Sequence, residues 1–261
     1  MTGAAGSIGQ AVLPGLTDRG HEVVGLDRVP QPEGQEGSWH TLDAADPDAV
    51  AAVFAEERVG AVVHLAGHAG EASLPDSLTS HVVTTAALLD AMVEHHVTRF
   101  VYASSNHAVG RTPRRDLLTV DVPPRPDTFY GVGKVAAEAL MRLYVDRYGL
   151  DAVSCRIGSF LPQPETVRHL STWLSPDDCV RMVEAALTAP APGYAVLYGI
   201  SANTRAWWDL EAGRALGYEP LDDAEAFASQ VVPSPDDERH AAHVGGPYLD
   251  GDLERPALDR A

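Results

Sequence analysis

Among its 261 residues the chain has one lysine, two cysteines and no run of eighteen apolar positions. The last absence excludes a membrane-spanning helix, and no basic stretch leads into an apolar one near the N-terminus, so a soluble cytoplasmic protein is expected. Cys155 and Cys179 stand far apart, in neither a CxxC nor a Cys/His pattern. A disulfide framework and a zinc site are therefore excluded, and both thiols read as small buried hydrophobes. Positive charge is scarce too: 19 basic against 37 acidic residues leave a formal charge of −18. Such a surface repels phosphate backbones and anionic membranes, which argues against nucleic acid or a membrane as partner. A small anionic substrate would need a local arginine or helix N-terminus to offset the general field.

What is present gains weight from that scarcity. The single lysine, Lys134, stands four residues after Tyr130. With 8 tyrosines in 261 residues, composition alone would place it there about 3% of the time. On a helix, residues i and i+4 share a face, so amine and phenol can act together. An ammonium on a flexible stem suits ribose hydroxyls and a phenolate better than the planar guanidinium of the 18 arginines.

Short β-branched runs alternate with longer helical patterns, the signature of an α/β fold. Strands are expected over 22–27, 39–43, 61–66, 99–105, 152–159 and 194–200, and helices over 7–19, 47–56, 75–96, 129–148, 177–189 and 206–216. With 45% apolar residues the chain can bury one sizeable core. The expectation is a doubly wound parallel sheet of Rossmann type in a single domain, with a nucleotide-binding core over about 1–160 and a small substrate cap and tail over about 161–261.

Near the start, Thr2-Gly3-Ala4-Ala5-Gly6-Ser7-Ile8-Gly9 is a glycine-rich turn opening a helix. Gly3 and Gly6 permit a tight turn and close approach to a pyrophosphate, Gly9 permits helix to pack on strand, and the helix N-terminus supplies amides. Asp27 ends the next strand, 18 residues after Gly9. A carboxylate there accepts hydrogen bonds from the adenosine ribose and repels a 2′-phosphate, favouring NAD over NADP; Arg28 beside it works the other way. A turn of this kind should follow a central strand, and here it begins at the second residue. The expectation is that the recorded start lies too late, with an initiating valine codon read as Met1 and the first strand missing.

The run Phe100 to His107 ends a strand with hydroxyls where open α/β sheets hold ligands, and Ser105 precedes Tyr130 by 25 residues. Together TGxxGxxG, the strand-end serine and YxxxK resemble the extended short-chain dehydrogenase/reductase (NAD-dependent epimerase/dehydratase) family over nearly the whole chain. Within it the chain is most similar to the NAD-dependent uronate dehydrogenases. Ser104 to His107, Pro123 to Lys134, Arg156 to Ser159, Arg168 to Trp173, Ser201 to Asn203 and Trp207 to Asp209 carry that resemblance.

The resemblance implies Tyr130 as general base, Lys134 as its partner and ribose ligand, and Ser105 as the hydroxyl orienting the substrate. It implies sugar-acid contacts from Ser105, Asn106, His107, Tyr130 and Arg168. The NAD site would be lined by Gly3, Gly6, Ser7, Ile8, Gly9, Asp27, Asp43, Leu65, Ala66, Lys134 and Ser159, with Ser159 near the nicotinamide. The implied reaction is hydride transfer from C1 of a hexuronic acid to NAD, giving an aldaric acid lactone, in a homo-oligomer and without a metal. Free tyrosine titrates near pH 10, so a phenolate near neutrality takes roughly 4 kcal/mol, to come from the Lys134 ammonium and the nicotinamide.

Two departures from the family's pattern stand out. His81 occupies the place of an asparagine early in the helix after the fourth strand, and the loop His68 to Glu71 lacks a serine expected near the substrate. His64 reads as a core histidine, His95-His96 as a solvated helix end, Trp207-Trp208 as cap packing, and Tyr248 as reaching a neighbouring subunit. Two other functions compete. A nucleotide-sugar epimerase or dehydratase shares the triad but grips its nucleotide with a larger C-terminal part than the roughly one hundred residues after Ser159. A non-catalytic NAD(P)-sensing protein has no need of Ser105, Tyr130 and the only lysine together.

Overall fold

In the computed structural model, which describes residues 1–251 and 256–258, parallel strands are flanked by helices on both faces. The strands are β1 (Gly25–Asp27), β2 (Trp39–Thr41), β3 (Ala61–His64), β4 (Arg99–Ser105), β5 (Asp151–Ile157), β6 (Ser159–Phe160), β7 (Trp173–Leu174) and β8 (Tyr194–Gly199). The helices are α1 (Ser7–Thr17), α2 (Pro47–Glu56), α3 (Leu74–Leu78), α4 (Thr84–Glu94), α5 (Phe129–Tyr148), α6 (His169–Thr172), α7 (Pro176–Thr188), α8 (Glu211–Arg214) and α9 (Asp237–Ala241). β3, β4, β5 and β8 pair in that order, all parallel, and β1 pairs with β2. Thr2 joins the two sets, bridging Leu26 on one side and His64 on the other. The glycine-rich turn thus does leave a central position of the sheet. Beneath Thr2 a cavity of about 270 Å³ runs between β1 and β3, lined by Val24, Leu26, Val62 and Val63.

Residue alternation along β4 builds the two faces. Val101 and Ala103 join Val12, Leu16, Val180 and Val183 of α1 and α7 in one cluster, whereas Phe100 and Tyr102 join Phe54, Leu88, Met92 and Met141 of α2, α4 and α5 in the other. Successive strand residues point to opposite faces, so a strand apolar at every position must be covered twice. Helix ends follow local chemistry: Asp46 caps α2 ahead of Pro47, Ser175 caps α7 ahead of Pro176, and Thr128 caps α5 through Gly131 N. Gly149 closes α5 with φ +70°.

The structure corrects several expectations. The helix expected over 206–216 shrinks to Glu211–Arg214. Leu118 N donates to Trp207 O and Asp209 N to Leu118 O, so this stretch is extended and pairs with Leu118 instead. Both tryptophans are buried in the main core, Trp208 with its ring 5.3 Å from Tyr198, and do not pack a cap. A smaller cluster of Leu170, Trp173, Ala224 and Val231 does that. The strand expected to run to 159 stops at Ile157, and the chain turns at Gly158 so that Ser159 and Phe160 pair with β7. The helix expected over 75–96 is interrupted by a π-helical stretch, Thr79–Val83, which carries His81. Cys155 and Cys179 are buried free thiols, and His64 is buried with its ring nitrogens 2.7 Å and 3.2 Å from the hydroxyls of Thr2 and Thr84. Among the described residues no helix is long and apolar enough to cross a membrane.

Candidate active site

The sheet's C-terminal edge carries two adjoining cavities. The first, about 540 Å³, is lined by the glycine loop, by Asp27 and Arg28 after β1, by Asp43, and by Leu65 and Ala66 after β3. Gly3 adopts φ +66°, and a Cβ on it would lie 2.6 Å from Ala66 N, so only glycine lets loop and strand exit meet. The first turn of α1 has no side-chain cap and no acidic residue, which leaves its amides free for an anion. Asp27 accepts a hydrogen bond from Ala5 N at 2.9 Å through one oxygen, and its other oxygen lies 3.3 Å from Val29 N. A backbone cradle, unsatisfied helix amides and a strand-end carboxylate together fit a dinucleotide.

The second cavity, about 310 Å³, shares Gly3, Gly6, Leu65, Gly67 and His68 with the first and extends to Ser7, Ile8, Gly9, Ser105, Tyr130, Lys134, Gly158 and Phe160. Ser159 is displaced from the expected wall: its hydroxyl lies 2.9 Å from that of Thr172 and accepts from Arg168 at 3.3 Å. Every other residue expected at the cofactor lines one of these cavities.

Tyr130 and Lys134 sit one turn apart on α5, both against β4. The amine donates to Ala103 O at 2.7 Å and lies 4.8 Å and 5.4 Å over the rings of Tyr102 and Tyr130. Burial lowers Lys134 to about 7, opposed by Glu138. Burial also raises Tyr130 to about 12, opposed by the hydroxyl of Ser105. The expected ammonium–phenolate pairing is thus not the resting arrangement: the amine is held by a backbone carbonyl and lies over the phenol's ring.

Around this pair the chain assembles further groups. Ser105 Oγ accepts from His107 N at 3.2 Å. His107 Nδ1 lies 2.8 Å from Asp127 Oδ2, and its ring stands 5.8 Å from that of Tyr130. Asn106 Nδ2 donates to Val244 O at 3.1 Å. Arg168 donates to the same carbonyl at 2.6 Å and to Ser159 and Thr172 at 3.3 Å and 3.4 Å. It makes no ion pair with a carboxylate among the described residues, and burial lowers it to about 10. Tyr248 lays its ring 4.2 Å from that of His107 in the same chain.

Three contributors escaped the sequence reading. Glu71 accepts from the amides of Phe129 and Tyr130 at 3.1 Å and 3.2 Å, fixing the start of α5. Asp127 anchors His107, and the segment from Val244 to Tyr248 closes over the site. None has a local signature, since each acts through a contact 20 or more residues away in sequence. His81 is buried with both ring nitrogens unpartnered, its ring edge-on to Tyr130 at 5.1 Å. Burial and the charge of Lys134 push it down to about 2, so it is neutral.

Comparison with known proteins bears on this geometry. Residues 1–174 match the model of the NAD dependent epimerase/dehydratase family. The chain is 37% identical to uronate dehydrogenase of Agrobacterium fabrum, over 97% of each chain. It is 34% identical to uronate dehydrogenase of Pseudomonas syringae pv. tomato, over 95% of this chain and 92% of that protein. The crystal structure of uronate dehydrogenase from Agrobacterium tumefaciens superposes with a TM-score of 0.89 at 36% identity, covering 99% of this chain and 97% of that one.

Proposed function

The chain belongs to the NAD dependent epimerase/dehydratase family, and from that premise we propose that it oxidises C1 of a free cyclic hexuronic acid to the aldaric acid lactone. It is an NAD-dependent oxidoreductase acting on a sugar CH–OH group. The glycine loop, the α1 amides and Asp27 hold the dinucleotide, and NAD when bound supplies the hydride acceptor.

The chain's own residues do the rest. Ser105, fixed at the end of β4, orients the C1 hydroxyl. Tyr130 accepts that hydroxyl's proton. A phenol held at about 12 by burial is a base only when positive charge stands near it. Lys134, one turn away and lowered by burial to about 7, can supply that positive charge near neutrality. It also offers donors to ribose hydroxyls. Asn106 and His107 line the sugar side.

The observation that carries this reading is Arg168. A guanidinium cannot discharge near neutrality, and burying one without a counter-anion is costly. Three of its five N–H donors go to neutral oxygens, leaving two for a carboxylate. In a chain of formal charge −18, a half-buried arginine in ion-pair contact with no carboxylate among the described residues has donors left for an anion.

An NADH absorbance assay tests this with free glucuronate and galacturonate against UDP-sugars, neutral hexoses and hexose 6-phosphates. Uronates are expected to give the highest kcat/KM. Turnover of a UDP-sugar without net NADH, read by chromatography of the products, moves the chain to the epimerase/dehydratase reading, because those reactions return the hydride to the sugar. Equal rates on neutral hexoses remove the carboxylate from recognition.

A further inference from the structure

Asp127 is a carboxylate in the site that no step above uses. Its side chain is fully buried. Oδ2 lies 2.8 Å from His107 Nδ1, and Oδ1 accepts from Thr128 Oγ1 at 3.1 Å. Two glycines admit it: a Cβ on Gly110 or on Gly245 would lie 1.9 Å or 1.8 Å from Oδ2. Two segments that pair with each other through Gly245 N and Gly110 O therefore both leave room for this carboxylate. Its charge reaches Tyr130 and Arg168 and raises both.

A carboxylate is an acceptor only, so the proton of the shared hydrogen bond sits on Nδ1. The permanent charge of Arg168 already reaches this one carboxylate, although no ion pair joins them, and a second cation would leave positive charge without a partner. The neutral ring with Nδ1–H is the form that balances the corner. Its Nε2 then carries a lone pair, and Nε2 has no partner among the described residues. The ring is clamped between Tyr248 at 4.2 Å and Tyr130 at 5.8 Å, which leaves little freedom to turn. A sugar hydroxyl has a proton to give to that lone pair.

The geometry points to Asp127 as a positioning residue that fixes the His107 tautomer, so that Nε2 accepts a hydrogen bond from a substrate hydroxyl next to the reacting one. The identity of that substrate rests on the uronate reading above; the tautomer does not. Asn in place of Asp keeps the shape but can turn its NH₂ toward Nδ1, moving the ring proton to Nε2 and replacing an acceptor with a donor.

The experiment has two arms. Nitrogen-15 NMR of the NAD-bound wild-type enzyme, with the His107 signals identified by their loss in His107→Gln, is expected to show protonated Nδ1 and unprotonated Nε2. A proton on Nε2, as the other tautomer or as imidazolium, overturns the proposal, and this arm needs no Asp127 variant to fold. In kinetics, Asp127→Asn is expected to lower kcat/KM on the uronate about 10- to 100-fold, with the Kd for NAD and Tm unchanged. In a His107→Ala background the same substitution should cost under about 3-fold, because the two residues act as one unit. Equal losses with and without His107, or a matching loss of NAD affinity, overturn it. If the wild type oxidises no uronate while the tautomer stands, the functional reading fails and the dyad survives.

Discussion

Two arginines twelve positions apart show how differently this fold buries a charge. Arg156, on β5, is 5% exposed and meets Glu138 of α5 through two contacts, Nη2–Oε2 at 2.8 Å and Nε–Oε1 at 3.1 Å, with Ser104 donating to the same carboxylate at 2.6 Å. That corner is complete: cation, anion and hydroxyl tie β4, β5 and α5 together beneath the site. Arg168 is half-buried, yet only neutral oxygens meet it. Since guanidinium stays protonated in both places, the difference lies in what remains to be bound. The first arginine closes a structural network, and the second gives its hydrogen bonds to neutral oxygens alone. Lys134 is a third case, because an amine, unlike a guanidinium, can relieve burial by losing its proton.

Lys134 should show the largest effect. Lys134→Met removes the ammonium from the site and is expected to lower turnover by about 10³-fold or more. Lys134→Arg should lose nearly as much, because the planar fork cannot replace the ammonium. Stability should move the other way. A lysine at 10.5 unfolded and about 7 folded holds more protons unfolded between those values, so wild-type stability rises with pH across that window. Lys134→Met should therefore be more stable than wild type at pH 7, by about 2 kcal/mol or more, with the advantage shrinking by about 1.4 kcal/mol per pH unit above 7. Urea unfolding at pH 7 and 9 checks both. A variant less stable than wild type at pH 7 breaks the view of Lys134 as a charge kept at a stability cost.

The arginine pair comes next. Arg156→Ala strands Glu138 and should cost roughly 3–5 kcal/mol, with kcat/KM of the surviving folded enzyme little changed. Arg168→Ala breaks no ion pair and should leave stability within about 1 kcal/mol, but lower kcat/KM on uronates roughly 30-fold, with little effect on any slow rate on neutral hexoses. Denaturation and kinetics on both variants test this crossing of effects. A collapse of stability in Arg168→Ala would make it a second structural arginine. On the cofactor side, Asp27→Ala should narrow the preference for NAD over NADP by about tenfold; an unchanged ratio would assign that choice to Arg28.

How much of this was legible in the sequence follows from the range of the contacts. β4 and helices α2 and α5 fall where the apolar pattern puts them, and the structure adds the local caps, Asp46 ahead of Pro47 and Thr128. The glycine loop, Asp27, Ser105, Tyr130 and Lys134 were legible because each marks its own turn, strand end or helix face. The substrate side was not. Asn106 and Arg168 meet the Val244 carbonyl across 138 and 76 residues, and a backbone carbonyl leaves no trace in composition. The stretch before α8 misled for a related reason: its pairing with Leu118 overrides a helix-like local pattern. His81 was recognised as out of place, but its unpartnered nitrogens and π-helical turn needed coordinates.

The smallest effect extends the comparison to a base kept neutral by burial. His64, in β3, is buried between the hydroxyls of Thr2 and Thr84. Burial, then the positive charges of Lys134 and the N-terminus, lower it from 6.5 to about 3. The sign follows from proton counting. Below 6.5 the unfolded chain takes up a proton that the folded chain refuses until about 3, so stability is whole above the unfolded value and drains as pH falls through that window. The loss approaches about 1.4 kcal/mol per pH unit from this one histidine once the pH is well below 6.5. Urea unfolding of wild type and His64→Gln at pH 7.5, 6.5, 5.5 and 4.5 isolates it, because His81, His169 and the acidic groups contribute alike to both. The wild type should lose about 1 kcal/mol more than the variant between pH 5.5 and 4.5. Parallel curves would mean that His64 accepts its proton in place, and that burial among hydroxyls does not keep a base neutral here.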